Sequence, residues 1–151
     1  MAFDDKLAPV FSNVLTEIIT TVSGFYLDVI SEEKDILFDE MIGIMSLCGK
    51  PNPMIFISTN EKDMRILCSF ITGVPQDEVT KSDMEDAICE LVNMTAGSAK
   101  LRLSGSDYTF NLAPPFVING KDMSITVKNK TRIFSKILSN GEITVRIKVI
   151  Y

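Results

Sequence analysis

The stretch TRIFSKILSNGEITVRIKVIY, residues 131–151, holds two runs of alternating side chains on either side of Ser139-Asn140-Gly141. Asn-Gly between such runs is the strongest short hairpin signal, so the spacing predicts antiparallel strands over 131–138 and 142–150. In the second run Ile143, Val145, Ile147 and Val149 point one way and Thr144, Arg146 and Lys148 the other. That alternation predicts a strand with one face buried and one wet. A sheet with one apolar face needs a layer of helices laid on it.

Three segments upstream read as those helices. Residues 4–22 open with acids and then place Val10, Val14, Ile18 and Val22 at helical spacing, with Gly24 as the stop. Residues 60–72 follow an N-cap candidate, Asn60, carry acids at Glu61 and Asp63, and end at Gly73-Val74-Pro75. A third helix runs to about 103 from Thr80 or Ser82, the latter forming a capping box with Glu85. Extended segments are expected near 25–31, 35–47 and 53–58, and again after Gly105. The reading is an α+β fold, a mixed or antiparallel sheet with helices packed on one face, forming one domain over 1–151 with no Pro-, Gly- or Ser-rich linker.

Composition narrows the function. Of 151 residues 46% are hydrophobic and 23% charged, which is globular, and the formal charge is −5. A nucleic-acid backbone or an anionic membrane would call for a basic footprint instead. No apolar run spans a bilayer and the first residues carry acids where a secretory signal has a positive cluster, so a cytoplasmic protein is expected. Cys48, Cys68 and Cys89 are odd in number and far apart, and are expected as reduced, buried thiols. There is no CxxC pair and no histidine, so no metal site is expected. The lack of histidine also removes every Ser-His and Cys-His nucleophile. Chemistry done here must work by placing groups.

Giving each residue of the third helix about 100° of rotation gathers Met84, Ala87, Ile88, Leu91, Val92, Thr95 and Ala99 on one side and Asp86, Glu90, Asn93, Gly97 and Lys100 on the other. The first set is a core face. The polar row by itself reads as an ordinary solvated surface, but two residues weigh against that. Asn93 is a poor helix former, and Gly97 costs about 1 kcal/mol against alanine in a helix interior. A glycine in an outward row leaves room for a partner to come close.

The stretch Asp86-Ala-Ile-Cys-Glu90-Leu-Val-Asn93-Met-Thr-Ala-Gly97-Ser-Ala-Lys100, with Pro114-Pro115 some twenty positions on, resembles the signature helix of the CheX chemotaxis phosphatases, relatives of CheC. Leu112–Gly120 and the terminal hairpin are also similar to that family. The resemblance implies a CheC-like fold and removal of phosphate from the aspartyl-phosphate of a CheY-like receiver domain. It implies that Asn93 orients the attacking water and that Glu90 pairs with the receiver's active-site lysine, with Asp86, Gly97 and Lys100 as further binding residues. It implies no cofactor bound by this chain, Mg²⁺ held by the phosphorylated receiver, and a homodimer built on sheet contacts. A non-catalytic receiver-binding or flagellar-switch-like module of the same fold is the alternative.

A faint duplication is also visible. Glu17-Ile18-Ile19-Thr20 in the first helix parallels Glu90-Leu91-Val92-Asn93, with threonine in place of asparagine. The shorter hydroxyl would not reach a buried water in the same way, so one active site per chain is expected, against a second at Glu17 and Thr20. Lys121, Lys128, Lys130 and Arg132 read as a solvated basic loop rather than a docking patch. Met41, Met45, Met54 and Met64 read as core fillers. Val149-Ile150-Tyr151, at the end of the last strand, is read as a sheet edge open to a second copy.

Overall fold

The computed structural model describes residues 6–32, 38–129 and 132–151. The chain runs α1 (Leu7–Ser23), β1 (Asp28–Ser31), β2 (Met41–Lys50), β3 (Met54–Thr59), α2 (Glu61–Thr72), α3 (Lys81–Arg102), β4 (Thr109–Leu112), β5 (Phe116–Asn119), β6 (Ile133–Ser139) and β7 (Thr144–Ile150). Among the described residues these are three helices and one open antiparallel sheet of seven strands, in the order β1-β6-β7-β3-β2-β4 with β5 also paired to β2. The first part of the expected first helix and the expected extended residues 35–37 lie outside the described residues.

Helix boundaries follow local chemistry. The α1 helix stops at Gly24, whose positive φ of 75° lets its N–H donate to the Thr20 carbonyl. At the start of α2 the Asn60 side chain accepts from the Asp63 N–H, and Gly73 ends the helix in the same left-handed conformation. The cap of α3 is Thr80, not Ser82. Thr80 Oγ1 accepts from the Asp83 N–H at 3.1 Å while Asp83 Oδ2 accepts from the Thr80 N–H at 2.8 Å. These bonds close a capping box and hold the Asp83 carboxyl below its ordinary pKa, while the Glu85 carboxylate accepts instead from Asn119.

All three helices lie on one face of the sheet. Leu7, Phe11 and Leu15 of α1, Met64 and Leu67 of α2, and Ile88, Leu91 and Val92 of α3 bury themselves against Met45, Ile55, Ile57, Val145 and Ile147. Met41, Met45 and Met64 belong to this core, as expected of filler residues. The turn of β6 into β7 takes four residues. Asn140 Oδ1 accepts from the N–H groups of Glu142 and Ile143, and Ser139 pairs with Thr144.

Two expectations fail here. The terminal strand β7 lies between β6 and β3, so Val149–Tyr151 is no edge; the edges are β1 and the β4/β5 side. The second face of β7 is not wet either. Phe38, Ile118, Met123, Ile125 and Val127 pack over Ile42, Ile44, Phe56 and Ile150 there. Lys148 is only 1% exposed, its ammonium 4.4 Å from the Phe38 ring centroid, and Arg146 Nη1 donates to Asp39 Oδ1 at 2.6 Å. Long cationic side chains lay their methylenes along apolar surface, so alternation reads them as exposed when they are not. No helix among the described residues is long and apolar enough to cross a membrane.

Candidate functional site

The third helix carries the site because its burial is one-sided. Met84, Ala87, Ile88, Leu91, Val92, Thr95, Ala96 and Ala99 are buried, and Thr95 satisfies its hydroxyl on the Leu91 carbonyl at 2.7 Å. Asp86, Glu90, Asn93 and Lys100 are exposed and Gly97 is half-exposed. The structure thus brings all five predicted site residues onto one outward row. At i, i+3 spacing, Glu90 and Asn93 have their Cβ atoms about 5–6 Å apart. Neither has a hydrogen-bond or ion-pair partner among the described residues.

The row rests on a helix held from several sides. Below it, Gly43 of β2 lets the sheet come close: a Cβ there would stand 2.7 Å from Val92 Cγ2 and 3.1 Å from the Ile88 carbonyl oxygen. This contact sits under the turn that presents Glu90. Along one flank, Asn119 at the end of β5 donates to Glu85 Oε1 at 2.6 Å, and Lys100 Nζ donates to Asn111 Oδ1 of β4 at 3.5 Å. Pro114 and Pro115 lie in the connection between those two anchored strands. Along the other flank, α1 packs with Val14 and Ile18 near Met94 and Ser98. Sequence reading missed Gly43 and Asn119. Glycine inside a strand signals a close backbone approach, and Gly43 could have been found that way.

Gly97 behaves differently from Gly43. A Cβ at Gly97 would meet nothing within 4 Å. The protein's own packing does not require glycine there, so the cost of about 1 kcal/mol is carried on an open surface.

Cys89 lies beside the row, half-buried, and burial first, then the charges of Asp86 and Glu85, push its thiol above the ordinary pKa. That shift disfavours the thiolate, the form in which a cysteine acts as a nucleophile. Cys68 is buried, and Cys48 is exposed, against the expectation of three buried thiols, because it faces out where β2 meets the edge strand β4. Among the described residues no three His, Cys, Asp or Glu side chains gather in a way that could hold a metal ion.

The matching pair on α1 is placed otherwise. Arg102, at the end of α3, makes a two-pronged ion pair with Glu17, its Nη1 donating to Oε1 at 3.0 Å and its Nη2 to Oε2. That bond, and then the guanidinium charge, lower the Glu17 pKa. Thr20 is half-buried and donates to the Phe25 carbonyl at 2.9 Å. Of the basic stretch, Lys121 and Lys128 are exposed, Arg132 is half-buried, and Lys130 lies outside the described residues.

Three helices on one face of an open antiparallel sheet, with a polar row on the third helix, define a protein of the CheC-like fold. Solved structures agree. The chemotaxis protein CheX of Vibrio vulnificus superposes with a TM-score of 0.85 at 20% identity, over 96% of this chain and 98% of its own. A CheC-like superfamily protein of a Shewanella species, strain PV-4, gives 0.85 at 22% identity over 98% of each chain. CheX in the CheX–CheY–BeF₃–Mg²⁺ complex of Borrelia burgdorferi gives 0.75 at 16% identity over 97% and 98%. No curated protein matches the chain. The family model for the chemotaxis phosphatase CheX matches residues 41–138, and the chain belongs to that family.

Proposed function

We propose that this chain hydrolyses the aspartyl-phosphate of a CheY-like response regulator, with Asn93 and Glu90 entering the regulator's phosphorylation site. Membership of a chemotaxis phosphatase family and a structural relative crystallised with CheY support the reaction and the partner. The observation that carries the assignment to residues is the unpartnered, exposed Glu90–Asn93 pair on a helix whose opposite face is wholly buried.

In this reading the Glu90 carboxylate meets the ammonium of the receiver's active-site lysine, a charge-assisted bond that fixes register. The Asn93 amide oxygen accepts a hydrogen bond from a water in line with the scissile P–O bond. Water attacks phosphorus, the bond to the aspartyl oxygen breaks, and the products are a free aspartate and inorganic phosphate. Phosphoryl transfer of this kind draws most of its catalysis from positioning and charge stabilisation. An amide does not titrate, so it holds the water across the physiological range. Mg²⁺ is supplied by the receiver and offsets the charge on the phosphoryl oxygens. Asp86, Gly97 and Lys100 extend the contact along the helix, in the cytoplasm where receiver domains work.

The test is the decay of phosphorylated receivers of the host with wild type, Asn93→Ala and Glu90→Ala. Asn93→Ala is expected to keep much of the binding and lose about 100-fold or more in rate, the usual cost of removing one positioned polar group. Glu90→Ala is expected to lose both. Wild type that leaves every receiver's decay unchanged while still binding one identifies a docking module instead.

A further inference from the structure

Beyond Asn93, α3 ends in a feature that the phosphatase chemistry does not use. Leu101 is 76% exposed, the one large apolar side chain of α3 that stands open. Eleven residues after Glu90 at about 100° each, it comes round to within about 20° of the same direction. Beside it a groove of about 610 Å³ runs between the last turns of α3 and strand β4, lined by Gly97, Lys100, Leu101, Tyr108, Phe110 and Asn111. Phe110 is buried at its floor and Tyr108 half-buried at its side. Lys100, held toward Asn111, is the cation at the rim.

Scale decides whether a partner on Asn93 also covers this groove. A stable interface buries about 800 Å² on each partner, a patch roughly 16 Å in radius. Leu101 lies eight residues from Asn93, about 12 Å along the helix axis. Any globular partner centred on Asn93 therefore reaches Leu101, and it crosses Gly97, where no side chain blocks its approach. The charges along the way run from Asp86 and Glu90 at one end to Lys100 at the other. A partner with a lysine opposite Glu90 fits best when it also presents an acid opposite Lys100.

We infer that the groove at the end of α3 is the receptor for an apolar side chain of the phosphorylated receiver domain, flanked by an acid that meets Lys100, and that it sets which receiver is accepted. The inference rests on the phosphatase reading. Leu101 and its groove are a binding element and Asn93 the reacting one, so the two separate in kinetics: the groove acts on the receiver concentration at half-saturation, Asn93 on the rate at saturation.

Full-length Leu101→Asp and Leu101→Met are assayed against the receiver that wild type dephosphorylates fastest, as a concentration series. A side chain exposed this far can be changed without disturbing the core, and coincident unfolding curves verify it. Leu101→Asp is expected to raise the half-saturating receiver concentration about tenfold, equivalent to about 1.4 kcal/mol, with the saturating rate within about twofold of wild type. Leu101→Met is expected to restore wild-type behaviour. An unchanged half-saturation in Leu101→Asp, or a fall confined to the saturating rate, overturns the groove while leaving the phosphatase intact. Wild type inactive on every receiver overturns both.

Discussion

Glu17 and Thr20 on α1 and Glu90 and Asn93 on α3 stand at the same spacing on helices of the same layer, yet their polar groups are in opposite states. Glu17 is gripped by both prongs of Arg102 and Thr20 spends its hydroxyl on the Phe25 carbonyl. Glu90 and Asn93 face solvent with their hydrogen-bonding capacity unspent. A carboxylate already paired must break that pair before it can meet a partner's lysine, and a hydroxyl already donating must break that bond to orient a water. The difference between a helix that serves the fold and a helix able to serve another molecule lies in which groups are left over.

The largest expected effect comes from exchanging the two motifs. Asn93→Thr makes α3 resemble α1 and is expected to reduce receiver dephosphorylation about 100-fold, within the range for losing a positioned group. Thr20→Asn added to that variant is expected to return nothing, because Glu17 stays clamped. Recovery of rate in the double variant would break the contrast, since it would mean that α1 can act once given an amide.

One side of this contrast is legible in the sequence and the other is not. The polar row of α3 can be read because helical rotation is a local property, and Asn60, Gly73 and Gly24 mark helix ends by chemistry that acts within four residues. Other features depend on neighbours remote in sequence. The inner position of β7 follows from β3 pairing with it across some ninety residues. The burial of Lys148 needs Phe38 laid over it, and the capture of Glu17 needs Arg102 from the far end of another helix. The choice of Thr80 over Ser82 depends in part on Asn119, some thirty residues on, which takes up the Glu85 carboxylate that a box at Ser82 would need. The groove beside Leu101 forms only when the end of α3 and strand β4 meet, so no single stretch announces it.

Two glycines sharpen the comparison from the side of packing. Gly43 lies under the working turn of α3 and has no room for a methyl group, with Val92 and the Ile88 carbonyl in the way. Gly43→Ala is expected to cost about 1–3 kcal/mol, as overpacking does, and to displace the Glu90 turn, so activity falls with it. Gly97→Ala meets nothing and replaces a poor helix former, so it is expected to gain about 0.5–1 kcal/mol while weakening receiver binding. Urea midpoints read both signs. Stabilisation by Gly43→Ala would mean that the close approach of β2 to α3 is not needed.

The smallest effect tests the α1 pair itself. Arg102 is nine residues from Asn93, about half a revolution round the helix, so Arg102→Met is expected to leave dephosphorylation unchanged and act on stability alone. The pair is exposed and screened, and its contribution is correspondingly modest. Its pH dependence has a definite sign. Because Arg102 lowers the Glu17 pKa, the folded state holds the charged carboxylate more tightly than the unfolded chain does. The stabilisation is therefore present above the ordinary carboxylate pKa and is lost as pH falls through the lowered value. The gap in urea midpoint between wild type and Arg102→Met should be seen at pH 7 and close in acid. A gap that persists once Glu17 is protonated would mean that Arg102 stabilises α1 by packing its stem rather than by pairing. A change in rate at pH 7 would mean that the two helices are coupled through this bridge.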